Sequence, residues 1–311
     1  MRVRLLTVVL LVQVAIGIGL VAVVLSGDVP LVGDLGVGES AESSAPAEAA
    51  VPRAPVDRFD EARAFGWLRR QVELGPRPAG SPKSRRLARL LRAALPGGRF
   101  QAVPGRLRNV IGLVPGRDPA RTVVVGAHYD TKDERDFVGA NDAGSGTAVV
   151  MELARVIRPR MLRPTVVFIL FDGEESPRGS DDEDFEAAGL RGSKIAAPAY
   201  GAAEAMILLD FVGNRNLSIA REANSDPALW YRLRQAAGRV GAGRAFPRRV
   251  EAPVSDDHLP FIRAGVPSVD LIDSNFLRGP CWHQTCDDLR GVSARSLDLS
   301  GETVFELLRT L

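Results

Sequence analysis

Residues 122–130 read Thr-Val-Val-Val-Gly-Ala-His-Tyr-Asp, and residues 165–175 read Thr-Val-Val-Phe-Ile-Leu-Phe-Asp-Gly-Glu-Glu. Each is a β-branched and apolar run with no polar alternation that leads directly into ionisable side chains. A strand covered on both faces needs such a run. Val110 to Val114, Ala205 to Phe211 and Ser268 to Ile272 bring the set to five. Helical patterns separate or follow them: Val56 to Leu74 (Phe59, Ala62, Phe65 and Leu68 at helical spacing), Ser84 to Leu95, Gly144 to Val156, Pro227 to Val240 and Ser293 to Leu311. Gly75-Pro-Arg-Pro-Ala-Gly-Ser-Pro, between the first two, reads as a loop. The alternation predicts an α/β fold with a mostly parallel sheet, covered on both faces. Ligand sites in such folds lie beyond the carboxyl ends of the strands.

The chemistry-bearing residues cluster there. His128 and Asp130, two apart at a strand end, can point the same way, so a ligand and its orienting partner come from one segment. Gly139-Ala-Asn-Asp142-Ala-Gly-Ser-Gly146 opens a helix with small residues that let backbone approach a ligand, and Asp142 is its one ionisable group. Asp172-Gly-Glu174-Glu175 places adjacent acids where one can bind metal and the other act as general base. Asp210 ends the next strand, and Cys281-Trp282-His283 follows the last by a loop. Singly, each has a bland reading as a turn, cap or solvated surface residue. Together they form a mixed imidazole and carboxylate set, which suits zinc. No H-E-x-x-H, G-x-S-x-G, P-loop or dinucleotide fingerprint occurs, so a thermolysin-type site, a serine-hydrolase elbow and nucleotide binding are unsupported.

The chain has 311 residues, enough for one enzyme-sized domain with appendages, and 40 basic against 38 acidic side chains. That balance leaves no general surplus for nucleic-acid binding. Arg2 and Arg4 precede an apolar run, Leu5 to Leu25, interrupted by Gln13. About 21 helical residues span roughly 30 Å, a bilayer's hydrocarbon core. We expect residues 1–25 to be an uncleaved transmembrane signal anchor, with a cleaved signal peptide as the alternative, and the body extracytoplasmic. Residues 26–55, rich in Gly, Ala, Glu, Ser and Pro, read as a flexible linker, and 56–311 as the catalytic domain. Asp181-Asp-Glu-Asp184 reads as a solvated charge run.

In this order, these motifs resemble the zinc aminopeptidase and glutaminyl cyclase superfamily, over roughly Gly75 to Leu289. The resemblance implies an α/β/α sandwich around a mixed sheet. It puts His128, Asp142, Glu175, Asp210 and His283 on the metal-ligand positions, with Asp142 bridging, Glu174 on the general acid/base and Asp130 beside His128. Aminopeptidases of this kind use two zinc ions; cyclases use one and turn an N-terminal glutamine into pyroglutamate. Peptide or protein N-termini are the implied substrates. Phe171-Asp-Gly-Glu-Glu175, the insert Ser176 to Gly189, Asp256-Asp257-His258-Leu-Pro-Phe261 and Trp282 look cyclase-like. On that model Asp210 and Asp256 join a network with Glu174. Asn141-Asp142-Ala-Gly-Ser-Gly146 looks more like an aminopeptidase, and the insert lacks the tryptophan of animal cyclases. A non-catalytic zinc-containing module is a third reading, opposed by the intact Glu174. His258 is either a pocket-side or a packed histidine, Phe276 and Trp282 either line the pocket or pack in the core, and Cys281 and Cys286 can form a disulfide bracing the His283 loop, with soft metal ligation by the two thiols as the alternative.

Overall fold

The computed structural model describes residues 58–180 and 184–311. The expected anchor and the whole of the expected linker lie outside them, as do Asp181, Asp182 and Glu183. No described helix is long and apolar enough to cross a membrane.

In chain order the elements are α1 (Glu61–Leu74), α2 (Pro82–Ala94), β1 (Arg99–Val103), β2 (Leu107–Val114), β3 (Asp118–His128), α3 (Gly144–Val156) and β4 (Pro164–Phe171). There follow α4 (Phe185–Ala188), α5 (Arg191–Ala199), β5 (Ala205–Asp210), β6 (Arg221–Glu222), α6 (Pro227–Arg239), β7 (Val250–Glu251), α7 (His258–Arg263), β8 (Ser268–Ile272), α8 (Ser274–Leu277) and α9 (Ala294–Thr310). The main sheet runs β1-β2-β4-β3-β5-β8. β3, β4, β5 and β8 are parallel, whereas β1 and β2 are added antiparallel at one edge. The sheet is therefore mixed, and the carboxyl ends of its four parallel strands share one edge.

Two apolar layers cover it. On one face Val123, Val125, Phe168 and Ile207 pack with residues of α1, α2, α3, α6 and α9. On the other, Val124, Ile169, Met206 and Leu208 meet Ala196 and Ala197 of α5 and Phe261 of α7. Alternate strand residues thus point to opposite layers, and both are apolar, which accounts for the unbroken runs. Residues 50–311 form one compact unit containing both layers, so this body carries what it needs to fold alone.

Capping shifts the expected boundaries. α1 starts at Glu61 rather than Val56, because the Asp60 carboxylate accepts from Arg63 N–H at 3.0 Å and caps the helix. Its buried face is Ala64, Leu68 and Gln71; of the expected Phe59, Ala62, Phe65 and Leu68, Leu68 lies in that face, Phe65 is partly buried against the core and Ala62 is exposed. Phe59 precedes the helix and packs against Gly301 of α9, and Gln71 is admitted to the interior because its amide donates to the Gly144 carbonyl at 3.0 Å. Ser81 caps α2 with Pro82 in its first turn, so that helix starts before Ser84. β5 ends at Asp210, since Phe211 turns into the left-handed region at φ 52.

Candidate metal centre

β3 ends in His128 and β5 in Asp210, and between them the turn before α3 delivers Asp142. His128 Nε2 lies 3.3 Å from Asp210 Oδ1 and 3.4 Å from Asp142 Oδ1. The other oxygen of Asp142, Oδ2, is 3.3 Å from His283 Nε2, and His283 Nε2 is also 3.3 Å from Glu175 Oε1. The five side chains thus form two three-residue clusters, His128–Asp142–Asp210 and Asp142–Glu175–His283, that share Asp142 through opposite oxygens.

Local backbone sets these positions. Asp142 precedes Ala143, held at φ 58 with no side-chain cap on α3, and His283 itself is left-handed at φ 53. Non-glycine residues in that region carry strain that surrounding contacts must hold. Here Asp287 accepts from Asn141 N–H at 2.8 Å and Asp142 N–H at 3.0 Å. Asn141 Oδ1 accepts from Gly213 N–H at 2.8 Å, and Ser145 Oγ from Val212 N–H at 3.0 Å, which ties the Asp142 turn to the chain leaving Asp210. Arg77, fully buried, donates to the carbonyls of Tyr129 at 3.1 Å and Gly139 at 3.0 Å. Gly146 permits the closest approach: a Cβ there would sit 2.0 Å from the Leu209 carbonyl oxygen.

After β4, Gly173 turns at φ 80 and sends Glu174 and Glu175 to the same edge. Asp130 is 3.8 Å from His128 Nδ1, too far for the hydrogen bond expected of it. Its Oδ1 instead accepts from Gly173 N–H at 2.9 Å and Glu174 N–H at 3.3 Å, fixing the acidic turn. Glu174 Oε2 stands 3.8 Å from His128 Nδ1.

A cavity of about 570 Å³ opens over the clusters. Glu174, Asp210, Asp256, Trp282 and Lys132 line it, and so do Phe185 and Glu186 of the insert. Trp282 stacks on the His283 ring, 4.2 Å between centroids. Phe276 does not line the cavity; it supports Phe211, which does, at 5.0 Å. His258 also lies behind the wall, fully buried, its Nε2 3.4 Å from Glu222 Oε1. Cys281 and Cys286 are joined by a disulfide.

Burial governs the charges. Desolvation raises Glu174 well above the usual carboxylate range; His128 opposes this, while Glu175, Asp256 and Asp257 add to it. Desolvation likewise raises Asp210 well above normal against the pull of His128, with Asp256 and Asp142 reinforcing the rise. Asp142 goes the other way: burial would raise its pKa, but its attraction to His128 and His283 outweighs that and lowers it. Burial disfavours a charge on His283, yet Asp142 and Glu175 overcome it and push its pKa up to about 10. Such electrostatics marks a site built for a cation. The oxygens Asp142 Oδ2 and Glu175 Oε1 are buried and accept no hydrogen bond, and the imidazole and carboxylate donors suit zinc.

Sequence reasoning missed several members of this site. Asp287, Asn141 and Ser145 brace it, Lys132 reaches Glu175 Oε2 at 3.5 Å, and Asp270 joins the buried acids near Asp256. Only the spacing of Asp287 from His283 offered a signal.

Residues 109–308 match the pattern of peptidase family M28. The chain belongs to that family. Among relatives, a glutaminyl-peptide cyclotransferase of the snake Boiga irregularis is 30% identical over 217 residues, 57% of this chain and 58% of that one. A probable zinc metalloprotease of Leptosphaeria maculans is 29% identical over 213 residues, 55% of this chain and 48% of that protein. The chain therefore spans about half to three-fifths of these relatives' lengths. A solved glutaminyl cyclase of Porphyromonas gingivalis superposes with TM-score 0.71 at 30% identity, covering 81% of this chain and 99% of the other. M28 membership places the two clusters within a family of enzymes, and the names of its relatives divide between cyclase and protease.

Proposed function

We propose that this M28 protein is a zinc-dependent glutaminyl-peptide cyclotransferase, converting an N-terminal glutamine to pyroglutamate with release of ammonia. The observation that carries the reading is the group of buried acids behind Glu174. Asp256 lines the cavity with Oδ2 unpartnered, and Asp210, Asp256 and Asp270 all have raised pKa values, first through desolvation. Desolvation and mutual repulsion make these acids harder to ionise than exposed ones, so a metal held by His128 and Asp210 would have to compete with a proton there. That favours one zinc, held by Asp142, Glu175 and His283, over two.

Bound zinc supplies Lewis acidity toward a carbonyl oxygen. Glu174 takes a proton from the α-amine as that nitrogen bonds to the γ-carbonyl carbon, then returns it to the side-chain nitrogen as the carbon–nitrogen bond breaks. Lactam and ammonia account for every atom, and no water is consumed. The raised pKa of Glu174 suits it to both transfers. Trp282, Phe211 and the insert wall exclude water from the reacting end.

A second reading, a two-zinc aminopeptidase, has one observation in its favour: the two Asp142 oxygens face separate clusters. The test is to give the zinc-loaded full chain a mixture of peptides starting with glutamine or leucine and to read their masses. Loss of ammonia confined to glutamine peptides supports the cyclase; loss of whole N-terminal residues overturns it. We also propose that Leu5 to Leu25 anchors the chain, with its body extracytoplasmic. Release of the full chain from membranes by alkaline carbonate would refute the anchor.

A further inference from the structure

From Gly75 to Arg117 the chain contains ten basic residues and no acidic one, leaving 30 basic against 38 acidic side chains elsewhere. Arg77 is buried, and its guanidinium is committed to backbone carbonyls. The other nine are exposed or partly exposed, and among the described residues none of them forms an ion pair. Elsewhere many arginines, though not all, do pair: Arg58 with Glu302, Arg121 with Glu204 and Arg239 with Glu306. An arginine-rich composition alone would not leave one face unpaired.

The geometry gathers these cations on α2 and the β1–β2 edge. α2 buries Ser84, Leu87, Ala88 and Leu91, so Lys83, Arg86, Arg89 and Leu90 lie on its outward side. Leu90 is 45% exposed among them. Arg92 and Arg108 lie over the Phe100 ring at 4.9 and 5.3 Å, which occupies the aromatic ring nearest to them. A single-stranded nucleic acid would find no free stacking platform there.

We propose that this face binds the phosphates of an anionic lipid surface. Unpaired guanidiniums with an exposed leucine between them match a headgroup layer in charge and in polarity. The assignment stands whether or not Leu5 to Leu25 is an anchor, and the experiment leaves that run out. Residues 50–311 are floated with vesicles of phosphatidylcholine, alone or with about a third phosphatidylglycerol, at low and raised salt. Expected is co-flotation with the anionic vesicles only, lost at raised salt. The triple variant Arg86→Glu/Arg89→Glu/Arg92→Glu should bind at least about tenfold more weakly, with unchanged circular dichroism and peptide processing. Should that variant misfold, Arg86→Gln/Arg89→Gln gives the same comparison with a smaller loss. Equal binding to neutral vesicles, no binding to anionic ones, undiminished binding by the folded variant, or binding to soluble heparin without vesicle binding would each overturn the proposal.

Discussion

Asp142 stands between two unlike halves. On one side, His128 and Asp210 end adjacent parallel strands in the middle of the sheet, and their surroundings are backbone hydrogen bonds made by Asn141, Ser145 and Thr147. On the other, Glu175 and His283 come from loops, and they face the cavity with Lys132 and Trp282. His283 keeps 19% side-chain exposure against 2% for His128. The strand-borne half gains its precision from the fold; the loop-borne half gains access to solvent and substrate, with a disulfide and a cradle of carboxylates in place of a sheet. On the proposed reading the metal resides in the accessible half, while the rigid half fixes Asp142 between them.

The largest effect tests the group that serves both halves. Glu174→Gln should lower turnover by about 10²–10⁴-fold while zinc binding, read by competition with a chelator, stays unchanged. Lost zinc would move Glu174 into the ligand set. The rigid half is attacked next by Gly146→Ala, which drives a Cβ into the Leu209 carbonyl. It should destabilise the protein by about 1–3 kcal/mol in urea unfolding; wild-type stability would mean that α3 and β5 are less closely coupled than their approach requires. For the loop half, Cys281→Ser/Cys286→Ser should weaken zinc affinity several-fold with little loss of stability, because the disulfide closes a short loop. A large fall in melting temperature with unchanged affinity would contradict that division.

The smallest expected effect is on pH dependence without metal. His283 has a folded pKa raised to about 10, so its contribution to stability is fully present below its unfolded value near 6.5 and is lost as pH rises toward 10. Asp287, raised to about 7 by burial and then by Asp142, acts in the same direction: its ionisation in the fold is penalised as pH climbs from about 4 to 7. The metal-free protein should therefore melt at progressively lower temperature between pH 6.5 and 10, and zinc should flatten that slope. A metal-free melting temperature that rises over this range would show that the acid–imidazole cluster does not govern it.

Much of the arrangement was legible because strands covered on both faces must be continuous apolar runs, and the ligands stand at their ends. Asp130 could be placed at the site from its spacing, but not its partner, since nothing in a sequence shows whether a carboxylate faces an imidazole or two amides of a neighbouring turn. β1 was missed because an edge strand needs only one apolar face, and Arg-Phe-Gln-Ala-Val alternates weakly. The phase of α1 was misread because Gln71 is buried by hydrogen bonds that propensity cannot foresee. Asp270 looks like any strand aspartate until Asp256, Glu222 and Asp210 are seen to crowd it. The unpaired basic face was visible only as a run of arginines until the fold showed how few carboxylates it meets.

The central claim is that one zinc in the loop-borne half serves a cyclisation. Its most direct measurement is a zinc titration of the metal-free full chain, following ammonia release from a glutamine-starting peptide. The account predicts that release saturates at one zinc per chain and that Asp210→Asn still binds that first ion. Activity that rises to a second equivalent, with free N-terminal residues appearing instead of ammonia, would contradict it.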